Sequence, residues 1–512
     1  MMLNIFFVHL IAIDQSPVWV EPALEVGRDL NHIVPSESTA LPSIEENLER
    51  IVTAATHAIS QIPTGDPFVP DPSNPPCWYA VSGERILPSN GIQSFQREGA
   101  SWARLQIASW SLSRGATLQV RSLGSDWVEY SAKDLKFWSG YTHFLEGSNI
   151  QFRLMGEEQD YVDLNSVMWG NPDFTHPALS PGLSSSLCGA DNRTAFNDDR
   201  VGRITRWDGV AWCTAWMTSA GVTLSAGHCF DYQGGVCVSN TQPDGTNDLQ
   251  AGSIVEWNVP ASNGNGATNP SAPEDQYPIN FSNLTFNHVC GGFGTDWAVF
   301  HLNPNSVNND NPHVSHNWHR ISRETPPAND TIRITGFGSD NTPAGTTGGG
   351  NAQKSTSQTD TGPFVTEQND GSGGFMHRYQ VDTTGGNSGS PVLWTNTSPD
   401  VTIGIHVQAG CSPTDGSGSN RGTSFENNAL ENAINNYWSN VAVFVDAGFP
   451  DLGVAADGTA FRPFPTVLDS ASTSTRIIVA EGFYGETGLI DTPCLIEALV
   501  GPVTIGDDHD AN

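Results

Sequence analysis

The 512-residue sequence is poor in basic residues: Lys and Arg number 22 against 55 Asp and Glu, a formal net charge of -33. So large an acidic excess repels the phosphate backbone of nucleic acid and anionic lipid headgroups alike, and neither is an expected partner. No stretch approaches the ~20 consecutive apolar residues that span a bilayer. Sustained helical periodicity is scarce, which argues against a helical fold. None of the 8 cysteines falls in a C-x-x-C pair, which argues against a zinc ribbon or a thioredoxin-type redox site. Cysteines scattered in this way suit a few structural disulfides in an oxidising compartment, so the product is expected to be secreted or extracytoplasmic.

What is abundant points to β-structure. Gly 52 and Pro 33, with frequent Ser, Thr and Asn, describe strands joined by turns and long surface loops. The length exceeds the ~250–300 residues one core can serve, so several domains are expected. Leu3 to Ile13 has the length of a signal-peptide apolar region, although no Lys or Arg precedes it and His9 interrupts it. Residues 43–61 read as a helix, with Ser43 and Glu46 spaced as a capping box and Leu48, Ile51, Val52 and Ala55 on one face. A Pro-rich run, 63–76, ends it, so residues 1–75 read as leader, helix and linker. From 76 to 172 the period changes to two: Leu105 and Ile107, then Ala116, Leu118 and Val120, then Ile150, Phe152 and Leu154, alternate with polar neighbours. This segment is expected to be a small antiparallel β-sandwich. A Pro, Ser and Gly stretch, 171–186, separates it from the segment 187–447, and residues 448–512 read as a short β-helix-like tail of brief strands and tight turns.

Three motifs in the order His, Asp, Ser carry chemistry. LSAGHC places His228 beside a cysteine, GTDWAVFHL places Asp296 at the start of an apolar strand, and TTGGNSGSPV places Ser388 in a Gly-rich turn. Peptide hydrolysis needs a hydroxyl made nucleophilic by a base, a carboxylate that orients the base, and backbone donors for the oxyanion. Ser388 is the candidate nucleophile, His228 the base and Asp296 the orienting carboxylate. The amides of Gly386 and Ser388 are the candidate oxyanion hole.

With CTAW, TDWAVF, ITGFGSD and IGIHVQAGC added, roughly 200–437 resembles the trypsin-like, chymotrypsin-fold serine peptidases, and within them the bacterial branch similar to the V8 glutamyl endopeptidase. The resemblance implies two antiparallel six-stranded β-barrels with the triad between them, a Cys213–Cys229 disulfide clamping the strands that carry His228, and no metal or organic cofactor. It implies a monomer acting on protein or peptide substrates. The sandwich resembles the β-rich precursor segment of some secreted bacterial proteases. Asn387 stands where trypsin-like zymogens carry an activating aspartate, so VGRI at 201–204 is read as the first barrel strand and activation, if any, as removal of an N-terminal segment between 171 and 200.

The specificity residues disagree. Thr383 and His406 match positions that bind an acidic P1 side chain in the glutamyl endopeptidase-like branch, and a hydroxyl and an imidazole N–H are sensible donors to a carboxylate. Asp382 falls where trypsin attracts Arg or Lys. The expectation is an acidic P1 preference, with basic P1 as the alternative and a non-catalytic polymer-binding protein on the same scaffold as the rival. His313, His316 and His319 recur every third residue in NPHVSHNWHR, but their Asn- and Pro-rich neighbours suggest loop residues rather than metal ligands. The pairing of Cys77, Cys188, Cys237, Cys290, Cys411 and Cys494 is left open.

Overall fold

The computed structural model describes residues 75–174 and 186–439, apart from 219–220, 231–248, 264–265, 290–291, 340–353, 372, 398–399 and 413, together with five short strands between 443 and 505. The helix expected at 43–61 and the apolar run at 3–13 lie outside the described residues.

The first described region is a β-sandwich. One sheet runs in the order Cys77–Val81, Tyr161–Gly170, Trp102–Ser111, Leu145–Glu146; the other runs Gln93–Gln96, Asn149–Met155, Thr117–Ser122, Val128–Tyr130. The period-two reading holds where one face meets solvent: in Asn149–Met155 the buried residues are Ile150, Phe152 and Leu154. It fails in Trp102–Ser111, where Trp102, Ala103, Arg104 and Leu105 are all buried. The cause is a second packing surface. Arg104, with no exposed surface, donates to the Thr142 carbonyl at 3.0 and 2.6 Å and to the carbonyls of Trp207 and Gly252 in the following barrel at 3.1 and 3.0 Å. Gln276 answers from the barrel side, donating to the Phe144 carbonyl and accepting from its amide at 2.8 and 2.9 Å. Ile254 packs into the sandwich core. The turn at Gly209 (φ +85°) lies so close to Trp102 that a β-carbon there would sit 2.2 Å from the indole. A short helix, Ala132–Phe137, was not legible as a separate element; Ser131 and Asp134 cap it reciprocally.

Two closed antiparallel barrels follow. The first has the strand order Val201–Thr205, Ala211–Met217, Thr223–Ser225, Gly292–Leu302, Gln276–Val289, Ile254–Glu256. VGRI is its first strand. Arg203 within it is buried against Glu256 at 2.8 Å. The second is ordered Gln358–Asn369, Thr331–Gly336, Pro391–Trp394, Val401–Gln408, Asn420–Ser424, Phe375–Tyr379, and closes through pairing of its first and last strands. Their cores merge: Ile405, Val407 and Phe425 of the second barrel join Trp216, Trp257 and Phe300 of the first. The helix Asn428–Ser439 then packs Leu430, Ala433 and Ile434 onto the same cluster, with the Asn427 side chain accepting from the amides of Ala429 and Leu430. In the tail, Val443–Val445, Arg476–Val479 and Leu495–Ala498 pair in parallel, as do Gly482–Tyr484 and Val503–Ile505, the pairing a β-helix-like segment requires.

Candidate active site

His228 follows the strand Thr223–Ser225 on a single 3-10 turn, Gly227–Cys229. Gly227 is needed there, because a β-carbon would lie 2.0 Å from the Asn287 carbonyl oxygen. Cys229 is bonded to Cys213 on the neighbouring strand, and the Trp212 indole donates to the Cys229 carbonyl at 2.9 Å, so the turn is held from both sides.

Asp296 is buried in the strand Gly292–Leu302 and meets His228 twice. Its Oδ1 accepts from the His228 amide at 2.9 Å, and its Oδ2 lies 2.7 Å from Nδ1 of the ring. Burial opposes the charged form of His228, but the charge and hydrogen bond of Asp296 outweigh it and raise the imidazole pKa. Burial pushes the Asp296 pKa up; the charge and hydrogen bond of His228 win and hold it below the ordinary carboxylate value. Such a pair can stabilise an imidazolium next to a carboxylate, with Nδ1 engaged by Asp296 and Nε2 without a partner among the described residues.

Ser388 lies in a turn that closes on itself. The Asn387 amide donates to the Thr384 carbonyl at 3.1 Å, the Ser390 amide to the Asn387 carbonyl at 3.0 Å, and the Gly389 amide to the His406 carbonyl at 2.8 Å. Among the described residues the amides of Gly386 and Ser388 have no partner. Gly386 adopts φ +96°, and a β-carbon on it would lie 2.3 Å from the Phe337 carbonyl oxygen, so only glycine fits. The Ser388 carbonyl accepts from the Thr214 amide at 2.8 Å and lies 3.9 Å from Cys229 Sγ. This brings the serine turn against the two strands that hold His228.

The three specificity candidates part ways. Asp382 is buried, and its oxygens accept from the amides of Cys188 and Asn192 at 2.6 and 2.8 Å, while its own amide donates to Asp360 at 2.6 Å. Thr383 shares a hydrogen bond with Ser186 and accepts from Asn420 Nδ2 at 3.3 Å. His406 is buried with Nδ1 2.7 Å from the Tyr379 hydroxyl; Nε2 has no partner among the described residues. Burial, then the charge of His228, pushes the His406 pKa down to about 3. The loop that captures Asp382 is tied down by a Cys188–Cys411 disulfide across 223 residues, a separation that gives no signal in sequence.

His316 and His319 form part of the packing. His316 stacks on Trp257 with ring centroids 5.1 Å apart; His319 packs edge-on to Trp216 at 5.4 Å, with Nδ1 3.1 Å from the Thr402 hydroxyl. Burial lowers their pKa values to about 4 and about 3. His316 and His319 lie outside helix and strand, as the loop reading expects; what that reading does not give is their burial, His316 against the first barrel and His319 between Trp216 of the first barrel and Thr402 of the second.

Two closed six-stranded antiparallel barrels with shared packing between them make this a chymotrypsin-like double barrel. No family model and no curated protein matches the chain. Among solved structures it is similar to a Glu endopeptidase in complex with MPD, at 21% identity over 49% of this chain and 97% of that one, with a TM-score of 0.33. It is also similar to the protease Anisep from Arthrobacter nicotinovorans, at 13% identity over 46% and 93% of the two chains, with a TM-score of 0.30. A thermostable serine protease, AL20, from an extremophilic microorganism matches at 14% identity over 44% and 92%, with a TM-score of 0.31.

Proposed function

We propose that the protein is a secreted serine endopeptidase in which Ser388 attacks the scissile carbonyl, His228 takes its proton and returns it to the leaving amine, and Asp296 holds the imidazole. The observation that carries this reading is the pair of hydrogen bonds that Asp296 accepts from His228, from its amide at 2.9 Å and from its ring at 2.7 Å. An aspartate bonded only to the ring could be a packing feature. One that also takes the backbone amide fixes the plane in which Nε2 points, which is what a base needs before it can take a proton in one direction. The Gly386 and Ser388 amides, unpaired among the described residues while those of Asn387, Gly389 and Ser390 are bonded, are suited to receive the oxyanion of an acyl-enzyme cycle. Two disulfides support export to an oxidising compartment.

The P1 preference we assign is acidic. The alternative, a basic residue drawn by Asp382, loses support because that carboxylate is spent on two amides of the 188–192 segment. His406 is the better recognition group. Being neutral, it recognises through a single N–H rather than through charge, and the proton position on the ring decides whether that N–H is available. Thr383, tied to Ser186 and Asn420, supports the pocket wall.

Labelling of the protein with a serine-directed organophosphonate tests the catalytic assignment; Ser388→Ala must abolish it. Mapping cut sites in a denatured protein tests the preference, and cuts after Lys or Arg would remove the acidic reading.

A further inference from the structure

Thr214 sits in the first barrel, on the strand Ala211–Met217, with no exposed surface, yet its polar atoms are directed at the serine turn of the second barrel. Its amide donates to the Ser388 carbonyl at 2.8 Å. Its hydroxyl donates to the Gly386 carbonyl at 2.8 Å and accepts from the Phe337 amide at 3.0 Å. Its own carbonyl accepts from the Ser225 hydroxyl at 2.8 Å, which ties it to the strand leading into His228. One residue therefore holds the carbonyls of the 386–387 and 388–389 peptide units, which lie on either side of the unit bearing the Ser388 amide, the first of them also adjoining the unit bearing the Gly386 amide, and it is braced from the base side of the cleft.

We propose that Thr214 is a positioning residue for the oxyanion site, fixing from the first barrel the peptide units that adjoin those bearing the Gly386 and Ser388 amides. The inference rests on the serine endopeptidase reading above.

The physical case is one of rotation. Gly386 stands at φ +96°, where a glycine backbone turns easily, so the aim of its peptide groups needs an outside restraint. The hydroxyl supplies one by fixing the Gly386 carbonyl. It has one donor and is accepting from Phe337, so in this arrangement its direction is settled by chemistry as well as by burial. Close contact adds to the restraint: a β-carbon on Gly389 would lie 2.1 Å from the Thr214 carbonyl oxygen, so the turn approaches this strand at backbone distance. A misaimed oxyanion donor weakens binding of the tetrahedral intermediate while leaving ground-state binding nearly intact.

The test is Thr214→Val, which keeps shape and backbone amide and removes the hydroxyl, beside Thr214→Ser, which restores it. For Thr214→Val the inference expects kcat to fall about 10- to 100-fold with KM within about twofold, and affinity for a peptide aldehyde to fall in parallel with kcat. Thr214→Ser should return kcat to within about threefold of the unmodified enzyme. If the valine variant does not fold, Thr214→Cys, which keeps a weaker donor, should show a smaller kcat loss of the same kind. Unchanged kcat in a folded valine or cysteine variant, or a loss that serine does not restore, overturns the proposal. These outcomes presuppose an unmodified protein that labels at Ser388; absence of that labelling refutes the endopeptidase reading instead, so the two failures are told apart.

Discussion

The Tyr379 hydroxyl lies 2.7 Å from Nδ1 of His406, and both side chains are buried. A buried phenol needs an acceptor, and this nitrogen is the one in reach among the described residues. If the phenol donates, the imidazole proton is driven to Nε2, and the ring presents an N–H to the pocket. Tyr379→Phe should then raise KM for substrates with Glu at P1 by about 5- to 20-fold, the worth of a ~1–2 kcal/mol preference, and leave kcat within about twofold. Steady-state kinetics on paired Glu and Gln substrates check this; an unchanged Glu-to-Gln ratio would show that the tyrosine does not set the tautomer.

Activity should depend on pH through His228. Its pKa is raised above the ordinary 6.5 by the Asp296 carboxylate, and the base must be neutral to take the serine proton. The rising limb of kcat/KM against pH is therefore expected above pH 6.5, and Asp296→Asn should lower it towards or below that value while reducing kcat severely. A limb well below pH 6.5 in the unmodified protein would contradict the pair described.

Stability should fall in mild acid for a separate reason. His316 and His377 titrate at about 4, and His319 and His406 at about 3, all lowered chiefly by burial. Each is depressed in the folded state, so its contribution is present above the unfolded value of 6.5 and is lost as pH falls towards the folded value. Glu367 and Asp360, raised to about 7 and about 6 by burial first, have the opposite sign and gain as pH falls. With His143 and His301 also depressed and His228 and Asp275 also raised, six groups that lose against four that gain predict a net decrease in Tm on going from neutral pH to about pH 4. Thermal melts across that window, with a smaller slope in His377→Gln, check it.

The sandwich is proposed to be part of the folded enzyme rather than a detachable inhibitor. Its hydrogen bonds to the first barrel go through Arg104 to Trp207 and Gly252 and through Gln276 and Asn303 to Phe144 and Phe137; none of these is a triad residue. Arg104→Leu would leave the Thr142, Trp207 and Gly252 carbonyls without their donor and should cost about 3–5 kcal/mol in urea denaturation. Introducing a specific cleavage site within 175–185 and cutting it should leave two fragments that co-elute on gel filtration. Separation of active protease from free sandwich would overturn the proposal.

Sequence was most informative where chemistry is local. The stretches around His228, Asp296 and Ser388 are short, and each carries its own local pattern, such as glycines at backbone contacts, so they could be proposed as one site without the fold. The alternation of Ile150, Phe152 and Leu154 was legible for the same reason. Arg104 was not, because a strand read as half-exposed meets a second domain on its other face. Asp382 could be placed but not aimed, since its partners at Cys188 and Asn192 arrive from the far end of the domain. Thr214 and Tyr379 gave no signal at all: their roles exist only where the barrels bring distant strands together.

The most direct test of the account is active-site labelling. Exposed to a biotinylated organophosphonate, the protein should take up one label per chain, located by peptide mapping at Ser388, with uptake abolished in Ser388→Ala and strongly slowed in His228→Ala. Labelling of another serine, or none in protein that is folded by circular dichroism, would contradict the assignment of His228, Asp296 and Ser388 as a catalytic triad.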